Sequence, residues 1–460
     1  MNRVPLVVTI TGFGLFVLYI AVVGMDYLME PPQRYDRPLK AQTLENPAQH
    51  TGTIEVWSWD IAAKSLGALV PAFNTSYPNI SVNVNMTGAN MPARFFLSLS
   101  AGVGAPDISQ IEIREAPRYA ATGQLADLTE VAAKYRHAFP ESFWANCEYD
   151  GRIYAIPWDM GPCAVFYKRD IFNLYGIDPN QIETWDDFIE AGQHILEQSG
   201  GHTRMLALST GRMQGMFEIL MQQNGAQIFD DTGRIVINSS EAREVLSLIK
   251  RLLDSGICYG ARPGTLEYLA GLKNDTIATY ATAVWFGGTI KDTVQDFAGQ
   301  ASNWGVFRLP AITSGGLRNS NLGGSVLIIP KQSTQKEAAW VFLEYALCTI
   351  EGQIAQYRNY DLYPAYLPAQ TDPFFNEPDP FYGNQMVRRL FSTDLTRIPV
   401  LNRTRDWMPA ERYLGQALSQ WATTGMDIDT FLENFERKLA SRTGRAISGV
   451  IIEESPSRVR

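Results

Sequence analysis

Aromatic and acidic side chains that could hold a ligand stand together near the start of the folded part of the chain. Residues 54–60 read IEVWSWD, with Trp57 and Trp59 two residues apart and Asp60 directly after them. An indole offers a flat apolar face and a carboxylate accepts hydrogen bonds, so the combination suits a binding surface. Two indoles in a strand can equally belong to a core. Trp59, nearer the carboxyl end of the strand, is the favoured ligand contact.

Motifs that carry enzymatic chemistry are absent from the sequence. It contains no G-x-S-x-G, H-E-x-x-H, P-loop or G-x-G-x-x-G element. Glu112 and Asp159 are the candidate pair of carboxyl groups for hydrolysis of a glycosidic bond, which requires a separation of about 5 to 9.5 Å. We therefore predict a protein that is not an enzyme, with an exported carbohydrate-active enzyme as the alternative.

The cysteines and histidines are too scattered to suggest a metal site. No C-x-x-C pair occurs, so neither a zinc knuckle nor a redox motif is encoded, and no metal or cofactor is predicted. An oxidising compartment would permit a disulfide, whose partners the spacing leaves open. The residues concerned are Cys147, Cys163, Cys258, Cys348, His50, His137, His194 and His202.

Length and charge narrow the class of protein further. The 460 residues exceed the size at which one core stops growing, so two lobes are expected. The net charge of -9 argues against a nucleic-acid partner, because a nucleic-acid groove needs a basic surface to replace the counterions of phosphates.

The N-terminal segment is predicted to cross a membrane. Residues 4–25 contain no charged side chain, and as a helix these 22 residues would be about 33 Å long, enough for the hydrocarbon layer. DYLMEPP follows, without an Ala-x-Ala-like site, which favours an uncleaved anchor (residues 1–29) over a cleaved signal peptide. Residues 30–51 are interpreted as a linker and residues 446–460 as a flexible tail.

Alternating strands and helices in the body predict βαβ units and a parallel sheet covered on both faces. The predicted strands include TIEVWSW, ISVNVNM, DISQIEI, IYAIPW, AVFYKRD and MLALST. Helices are predicted near residues 214–224 and 240–254, and another begins at Thr184, where Asp187 completes a capping-box pattern. Asp150-Gly151 indicates a hairpin turn.

Several of these segments, taken in order, resemble the extracellular solute-binding proteins of ABC importers, in particular the maltose-binding-like group. The resemblance covers about residues 52–435 and is carried by PAFNTSYPNISVNV, LSLSAGVGAPDISQI, ATGQLADLTE, YDGRIYAIPW, VFYKRDIFNLYGI, ETWDDFIEAG, QQNGAQIFDDTG, ATAVWFGG and KEAAWVFLEYALCTIEGQ. It implies an α/β fold of the periplasmic-binding-protein type, with two discontinuous lobes joined by hinge strands. Lobe 1 would hold residues 52–157 and 325–358, and lobe 2 residues 158–324 and 359–445.

The expected ligand site is the cleft between the lobes, beyond the carboxyl ends of the strands. Strand ends and hinge position nominate Trp57, Trp59, Asp60, Gln110, Glu112, Arg114, Trp158 and Asp159. The resemblance implies Trp285 as a stacking residue, Gly323 and Gly324 as backbone contacts, and a role for Arg212, Gln214 and Trp407. The chain departs from the maltose-binding pattern at WDMGP, where Gly161 replaces a carboxylate, and at EIRE, so maltose itself is not implied.

The resemblance therefore implies a substrate-binding component that closes on a mono-, di- or oligosaccharide and delivers it to the permease subunits of an importer. The protein would act as a monomer at the periplasmic, extracytoplasmic face, anchored to the inner membrane or secreted if the segment is cleaved. Two alternatives keep the fold: a signalling ectodomain, and a binder of a polyol or amine, since aromatic and acidic residues also bind cations.

Overall fold

The computed structural model describes Leu39 and residues 49–88, 90–294 and 303–449. Within these ranges no helix has both the length and the hydrophobicity needed to cross a bilayer. The predicted anchor over residues 1–29 lies outside the described residues, as do most of the linker and residues 450–460 of the tail. The membrane-spanning helix stays a prediction.

The strands of the described residues are β1 (Gly52–Ser58), β2 (Ile80–Met86), β3 (Ile108–Glu112), β4 (Glu148–Tyr149), β5 (Arg152–Ile153), β6 (Ile156–Lys168), β7 (Arg204–Ala207), β8 (Cys258–Tyr259), β9 (Ile277–Ala283), β10 (Trp304–Arg308) and β11 (Asn321–Ile328).

The helices are α1 (Asp60–Ser76), α2 (Met91–Ala101), α3 (Ala116–Ala120), α4 (Thr129–Ala132), α5 (Glu141–Trp144), α6 (Arg169–Leu174), α7 (Trp185–Gln198), α8 (Gln214–Asn224), α9 (Ser240–Asp254), α10 (Leu266–Ala270), α11 (Phe286–Val294), α12 (Lys336–Leu347), α13 (Ile350–Tyr360), α14 (Val387–Ser392), α15 (Trp407–Thr424) and α16 (Ile428–Thr443). Short 3-10 turns cover Ile113–Glu115, Ala133–Ala138, Ala145–Cys147, Pro179–Gln181, Leu367–Thr371, Pro373–Asn376, Pro380–Tyr382 and Leu395–Arg397.

The main sheet is mixed, so the prediction of a parallel sheet was wrong for its centre. Its strands lie in the order β2-β1-β3-β11-β6-β9-β7-β8, and β10 pairs with β6 off this path. The outer pairs are parallel, because β1 runs with β2 and β3, and β7 runs with β8 and β9. In the centre, β11 is antiparallel to β3 and β6, and β6 is antiparallel to β9 and β10. Strands that pass between two lobes need not follow the direction of the βαβ units within each lobe.

Strand β6 joins the two parts of the sheet. Residues 156–168 form one continuous strand where the sequence suggested two, IYAIPW and AVFYKRD. Its first part pairs with β11 and its second part with β9 and β10, and the β6–β11 register shifts between Asn321 and Gly324. A third segment runs beside β6, where the Met160 amide donates to the Tyr363 carbonyl at 2.9 Å and the Ala365 amide to the Trp158 carbonyl at 3.1 Å. We call the part that carries β1, β2 and β3 lobe 1, and the part that carries β7, β8, β9 and β10 lobe 2.

Two buried hydrophobic clusters support the lobes. The second cluster is built from residues of lobe 2 and from the C-terminal helices α15 and α16. The first combines the core of lobe 1 with helices α12 and α13, and it extends to aromatic residues of lobe 2 such as Phe166 and Phe286. Residues 363–398, assigned to lobe 2 by the sequence, contribute to the first cluster. The predicted lobe boundaries stay predictions.

Several local predictions are confirmed. The Thr184 side chain accepts from the Asp187 amide at 3.2 Å, and the Asp187 carboxylate accepts from the Thr184 amide at 2.8 Å, which completes the capping box of α7. Helices α8 and α9 have the predicted bounds. At the β4–β5 hairpin, Asp150 and Gly151 have φ of 49° and 73°, the positive values that a tight two-residue turn requires.

The crossing of β6 and β11 requires a residue without a side chain at Gly161. A Cβ placed there would collide with the Leu322 carbonyl oxygen and would lie 3.1 Å from the Ala283 Cβ. The Gly161 amide also donates to the Asn321 side-chain oxygen at 2.9 Å. A shift of the local backbone would break this hydrogen bond. The two strands can approach this closely only with glycine at the position.

We expect Gly161→Ala to lower the free energy of unfolding by about 1–3 kcal/mol, because the added methyl group must displace the backbone of β11. Urea denaturation followed by circular dichroism measures the change. Gly67→Ala in helix α1 is the matched control, since a Cβ at Gly67 meets nothing within 4 Å; it should leave stability unchanged or raise it. Equal midpoints for Gly161→Ala and the parent protein would contradict the expectation.

Candidate functional site

A cavity of about 610 Å³ opens between the two lobes. Its volume falls in the range of ligand sites in proteins. Its wall is built where strands end: Trp59 follows β1, Glu112 ends β3, Ala207 ends β7 and Trp285 follows β9. The carboxyl ends of these strands therefore meet at one cleft, as expected for α/β sheets.

Of the site residues predicted from the sequence, eight line this cavity: Trp59, Glu112, Arg114, Arg212, Gln214, Trp285, Gly323 and Gly324. They come from both lobes and from the β11 crossing. Their role in binding stays a prediction, but the structure brings them to one surface.

Trp57 does not reach the cavity. It is 7% exposed and packs in the core of lobe 1, with its ring 6.5 Å from that of Phe95 and 4.2 Å from the Arg94 guanidinium carbon. Strand β1 ends at Ser58, so Trp59 is the residue before helix α1 and no longer follows the alternation of the strand. The end of the strand thus separates two indoles that the sequence places on one face.

Trp158 and Trp407 are also core residues, which corrects their assignment to the cleft. Trp158 is 1% exposed, and its indole nitrogen donates to Gln356 Oε1 at 2.7 Å inside lobe 1. Trp407 is 2% exposed and begins helix α15 in the core of lobe 2. An indole enclosed on all sides offers no face to a ligand.

Gln110 and Asp159 lie behind the cavity wall and hold it in place. Gln110 accepts from the Ser58 hydroxyl at 2.6 Å and donates to the Ser325 hydroxyl at 3.0 Å. The Asp159 carboxylate accepts from the Ser325 amide at 2.9 Å. Ser325 lines the cavity, so both side chains support a wall residue rather than form the wall.

Asp60 is exposed at the first position of α1 and is not part of the cavity wall. Its φ of 47° lies in the left-handed region, which aspartate tolerates better than most residues. The residue allows the chain to turn from β1 into α1 directly after Trp59.

An ion-paired network crosses the cleft. Arg114 of lobe 1 contacts Glu112 at 2.5 Å and Glu411, on helix α15 of lobe 2, at 2.6 Å. The two acids raise the pKa of Arg114 despite its partial burial, which acts in the opposite direction. The guanidinium therefore remains charged and links the lobes.

Glu411 carries an unused hydrogen-bond acceptor at the cavity. Its Oε2 is buried and has no hydrogen-bond partner among the described residues, while Oε1 contacts Arg114. Burial and the neighbouring carboxylates of Glu218 and Glu112 raise the pKa of Glu411, and Arg114 opposes them. A buried oxygen of this kind is costly unless a donor meets it.

Glu218 is a third carboxylate of the wall and is held from behind. Its partner is Arg403, whose side chain is 2% exposed and donates to Glu218 Oε1 at 2.9 Å. The Arg403 guanidinium carbon lies 5.0 Å from the centre of the Trp407 ring. Trp407 therefore supports the cleft indirectly, by positioning the base that holds an acid of the wall.

Trp285 offers a large aromatic surface to the cavity. It is 47% exposed, and its indole nitrogen donates to the Leu322 carbonyl at 3.3 Å, which orients the ring beside β11. Gly323 lies next to it, because a Cβ at that position would be 3.8 Å from the indole nitrogen. An exposed ring held by a backbone hydrogen bond is a ready stacking surface.

Glu218, Glu411, Ser325 and Thr282 line the cavity but were not predicted. Glu218 had a detectable signal, since it is the one charged residue in the apolar segment GMFEILM. Glu411 had none, because it is one of several polar residues in an amphipathic helix. Its place in the site depends on how α15 packs near the end of β3.

The four cysteines are free thiols, and in the described part of the chain no three His, Cys, Asp or Glu side chains are grouped to hold a metal ion. Burial raises the pKa of the Cys147 and Cys258 thiols, which disfavours their reactive thiolate form.

Burial raises the pKa of Asp159 to about 6, although the hydrogen bond from Ser325 opposes the shift. Unfolded aspartate has a pKa near 4, so the folded state binds the extra proton between these values and stability falls as pH rises from about 4 to about 6. We expect Asp159→Asn to gain stability relative to the parent protein over this interval, by at most about 3 kcal/mol.

Unfolding free energies at pH 4.5 and 7.5 measure this effect. The amide that replaces the Asp159 carboxylate would still offer an oxygen to the Ser325 amide, so the hydrogen bond itself should survive the substitution. Asp60→Asn, at an exposed position, controls for the loss of a carboxylate. A difference between Asp159→Asn and the parent protein that does not depend on pH would contradict the expectation.

Comparisons with known proteins agree with this architecture. The family described as bacterial extracellular solute-binding protein matches residues 68–379. An arabinooligosaccharide-binding protein of Halalkalibacterium halodurans is 26% identical over 342 residues, which cover 72% of this chain and 76% of that protein. A lactose-binding protein of Rhizobium radiobacter is 26% identical over 390 residues, or 79% of this chain and 86% of that protein.

Solved structures show the same two-lobe fold. The ABC transporter associated binding protein from B. animalis subsp. lactis, in complex with beta-1,6-galactobiose, matches with a TM-score of 0.69 at 24% identity, covering 85% of this chain and 98% of that one. The sugar-binding protein MalE from Xanthomonas citri matches with a TM-score of 0.74 at 20% identity, over 85% and 98% of the two chains. With a family match over most of its length, the chain belongs to the bacterial extracellular solute-binding proteins of ABC importers, family 1.

Proposed function

We propose that this protein is the substrate-binding component of an ABC importer and that it binds a sugar in the cleft between its lobes. The observation that carries the proposal is the meeting, in one cavity, of the exposed Trp285 ring and the unpartnered carboxylate oxygen of Glu411. A pyranose or furanose ring presents apolar C–H faces and a rim of hydroxyls, so it needs both kinds of group.

The aromatic part of the site comes from two lobes. Trp285 lies at the end of β9 in lobe 2, and Trp59 lies at the end of β1 in lobe 1. A sugar that contacts both indoles would have apolar faces covered from two sides. Stacking of this kind adds binding energy beyond that of the buried area.

The polar part of the site can satisfy hydroxyl groups in both directions. Glu411 and Glu112 accept hydrogen bonds, while the Arg114 guanidinium donates them. A sugar hydroxyl is both a donor and an acceptor. One hydroxyl can therefore donate a hydrogen bond to a glutamate while its neighbour accepts one from Arg114, the ion-pair partner of that glutamate. Charged partners make such hydrogen bonds stronger than neutral ones.

The relatives support a saccharide as the class of ligand. The matched proteins are described as arabinooligosaccharide-binding and lactose-binding, and one matched structure holds beta-1,6-galactobiose. A mono-, di- or oligosaccharide is consistent with the volume of the cavity.

Binding would act by shifting the population of lobe arrangements. The wall comes from both lobes and from the β6–β11 crossing, so a ligand makes its full set of contacts only when the lobes are close together. Ligand binding then favours the closed form, which is the form that permease subunits would receive.

This mechanism needs no bond to be broken, and the acids that an enzyme would use have other partners. Glu112 is paired with Arg114, and Asp159 accepts from the Ser325 amide. Glu112 on β3 and Asp159 on β6 are both register partners of Ser325, which lies on β11 between these two strands. Their backbones are therefore two strand spacings, or about 10 Å, apart. We therefore favour a binding protein over a carbohydrate-active enzyme.

A thermal-shift screen with sugars, polyols and amines tests the proposal, followed by calorimetry with the compounds that raise the melting temperature. We expect at least one saccharide to bind without turnover, and Trp285→Ala to weaken its binding by about tenfold or more, because the stacking surface is lost. Leu97→Ala removes another exposed apolar side chain, 68% exposed and outside the cavity, and should bind unchanged.

The screen also separates the alternatives. Product formation from glycosides would favour an enzyme, and a response to amines or polyols alone would favour another solute. Saccharide binding that Trp285→Ala leaves unchanged would place the site elsewhere.

We further propose that the protein acts as a monomer at the extracytoplasmic face of the inner membrane, anchored by residues 1–29. The uncharged segment over residues 4–25 supports the anchor. After expression with its native N-terminus, the protein should sediment with membranes, resist extraction at high salt or alkaline pH and retain residues 1–29 by mass measurement. A soluble periplasmic form that lacks these residues would show a cleaved signal peptide instead.

A further inference from the structure

A second depression, of about 580 Å³, lies on lobe 2 beside the ligand cavity. Ser209 lines both, so the two spaces meet at the turn that follows β7. The wall of the second depression carries hydroxyl groups, among them Thr210 and Thr265, one guanidinium, that of Arg262, and one carboxylate, that of Glu267. It contains no aromatic ring among the described lining residues, so its chemistry differs from that of the main cavity.

The exposed Arg262 guanidinium lies beside the turn after β7, and no acid among the described residues holds it. It lies against Gly211, where a Cβ would be 3.1 Å from its Nη2 and 3.4 Å from its central carbon. Among the described residues no carboxylate forms an ion pair with it. The acid that lines the depression, Glu267, instead accepts from the Tyr259 hydroxyl at 3.1 Å.

Arg212 brings a second positive charge to the same turn from the side of the main cavity. Its amide donates to the Ser209 carbonyl at 3.0 Å, which orders the turn, and its exposed guanidinium has no ion-pair partner in the described part of the chain. The acids of the cleft are committed elsewhere: Glu112 and Glu411 to Arg114, and Glu218 to Arg403. In a protein of net charge -9, two unpaired guanidinium groups thus flank one turn.

We propose that the second depression binds the carboxylate of an acidic sugar unit, so that the ligand is a saccharide containing a uronic acid. This inference rests on the proposed sugar-binding function and deepens it. A neutral sugar ring would seat in the main cavity against Trp285, and the adjoining acidic ring would extend past Ser209 to Arg262. A planar guanidinium recognises a planar carboxylate through two parallel hydrogen bonds, which a lysine cannot reproduce.

Matched neutral and acidic saccharides test the proposal by calorimetry with the full chain. The probes are galactobiose and digalacturonic acid, and cellobiose and cellobiouronic acid, with the trimers of each series. In at least one series we expect the acidic member to bind about tenfold more tightly at low salt. That preference should shrink at 0.5 M salt, because salt screens the attraction between the exposed Arg262 guanidinium and the ligand carboxylate.

Arg262→Gln should abolish the preference for the acidic member and leave the affinity for the neutral one unchanged, and Arg262→Lys should retain part of it. Lys64→Gln removes an exposed positive charge from helix α1 of lobe 1 and should change neither affinity. Melting temperatures of the variants check that each is folded.

The outcomes separate this inference from the function on which it rests. Equal or tighter binding of the neutral saccharides would overturn the acidic-sugar site and leave the sugar-binding function standing. An acidic preference that persists in Arg262→Gln would overturn the role of the second depression. If no saccharide of either kind binds, both proposals fail.

Discussion

The antiparallel pairing of β6 with β11 is the constraint on which the rest of the structure depends. These two strands pass between the lobes, and they can lie this close only because Gly161 has no side chain to meet the Leu322 carbonyl. The register shift next to Gly323 and Gly324 turns β11 as it leaves one lobe. That turn brings the backbone of β11 and the largely buried Ser325 to the cleft, where they form the floor between the two walls.

The two walls differ in how they are supported. On lobe 1, buried polar side chains hold the cleft surface, as Gln110 does for the backbone of Trp59 and for Ser325. On lobe 2, the buried guanidinium of Arg403 holds Glu218, and the Trp407 ring packs against that guanidinium. In both cases residues behind the wall are held by partners, whereas Glu411 at the wall keeps an unused acceptor. A binding site needs this combination, because fixed groups lose little freedom when a ligand meets them.

Charge is distributed unevenly around the cleft. The centre carries three carboxylates, each paired with an arginine, while the turn after β7 carries arginines without acidic partners among the described residues. The paired groups can exchange hydrogen bonds with neutral hydroxyls at little electrostatic cost. The unpaired arginines favour an anion, so the charge of the ligand matters for binding as well as its size.

Local features of the sequence were sufficient to predict helices α7, α8 and α9, the cap of α7, strands such as β1, β2, β3 and β7, and the α/β class. Helix α7 and the Asp150-Gly151 turn are specified by hydrogen bonds between residues at most four apart, which a sequence displays directly. Trp59 was likewise identifiable, because it directly follows a strand and strand ends border the cleft. Trp285 was identifiable from the resemblance of ATAVWFGG to the family's pattern.

Contacts between distant segments were decided only by the tertiary structure. Arg114 meets Glu411 across 297 residues of chain, and nothing local to either residue indicates that contact. Trp158 and Trp407 share residue type with Trp285 but are enclosed by side chains from other elements, so their burial could not be deduced from position along the chain. The antiparallel direction of β6 and β11 also depends on contacts between distant segments. The sequence by itself determined local elements such as α7 and the strand ends at Trp59 and Glu112. How the lobes pack determined which side chains line the cleft, because that packing alone brings separate elements within contact distance.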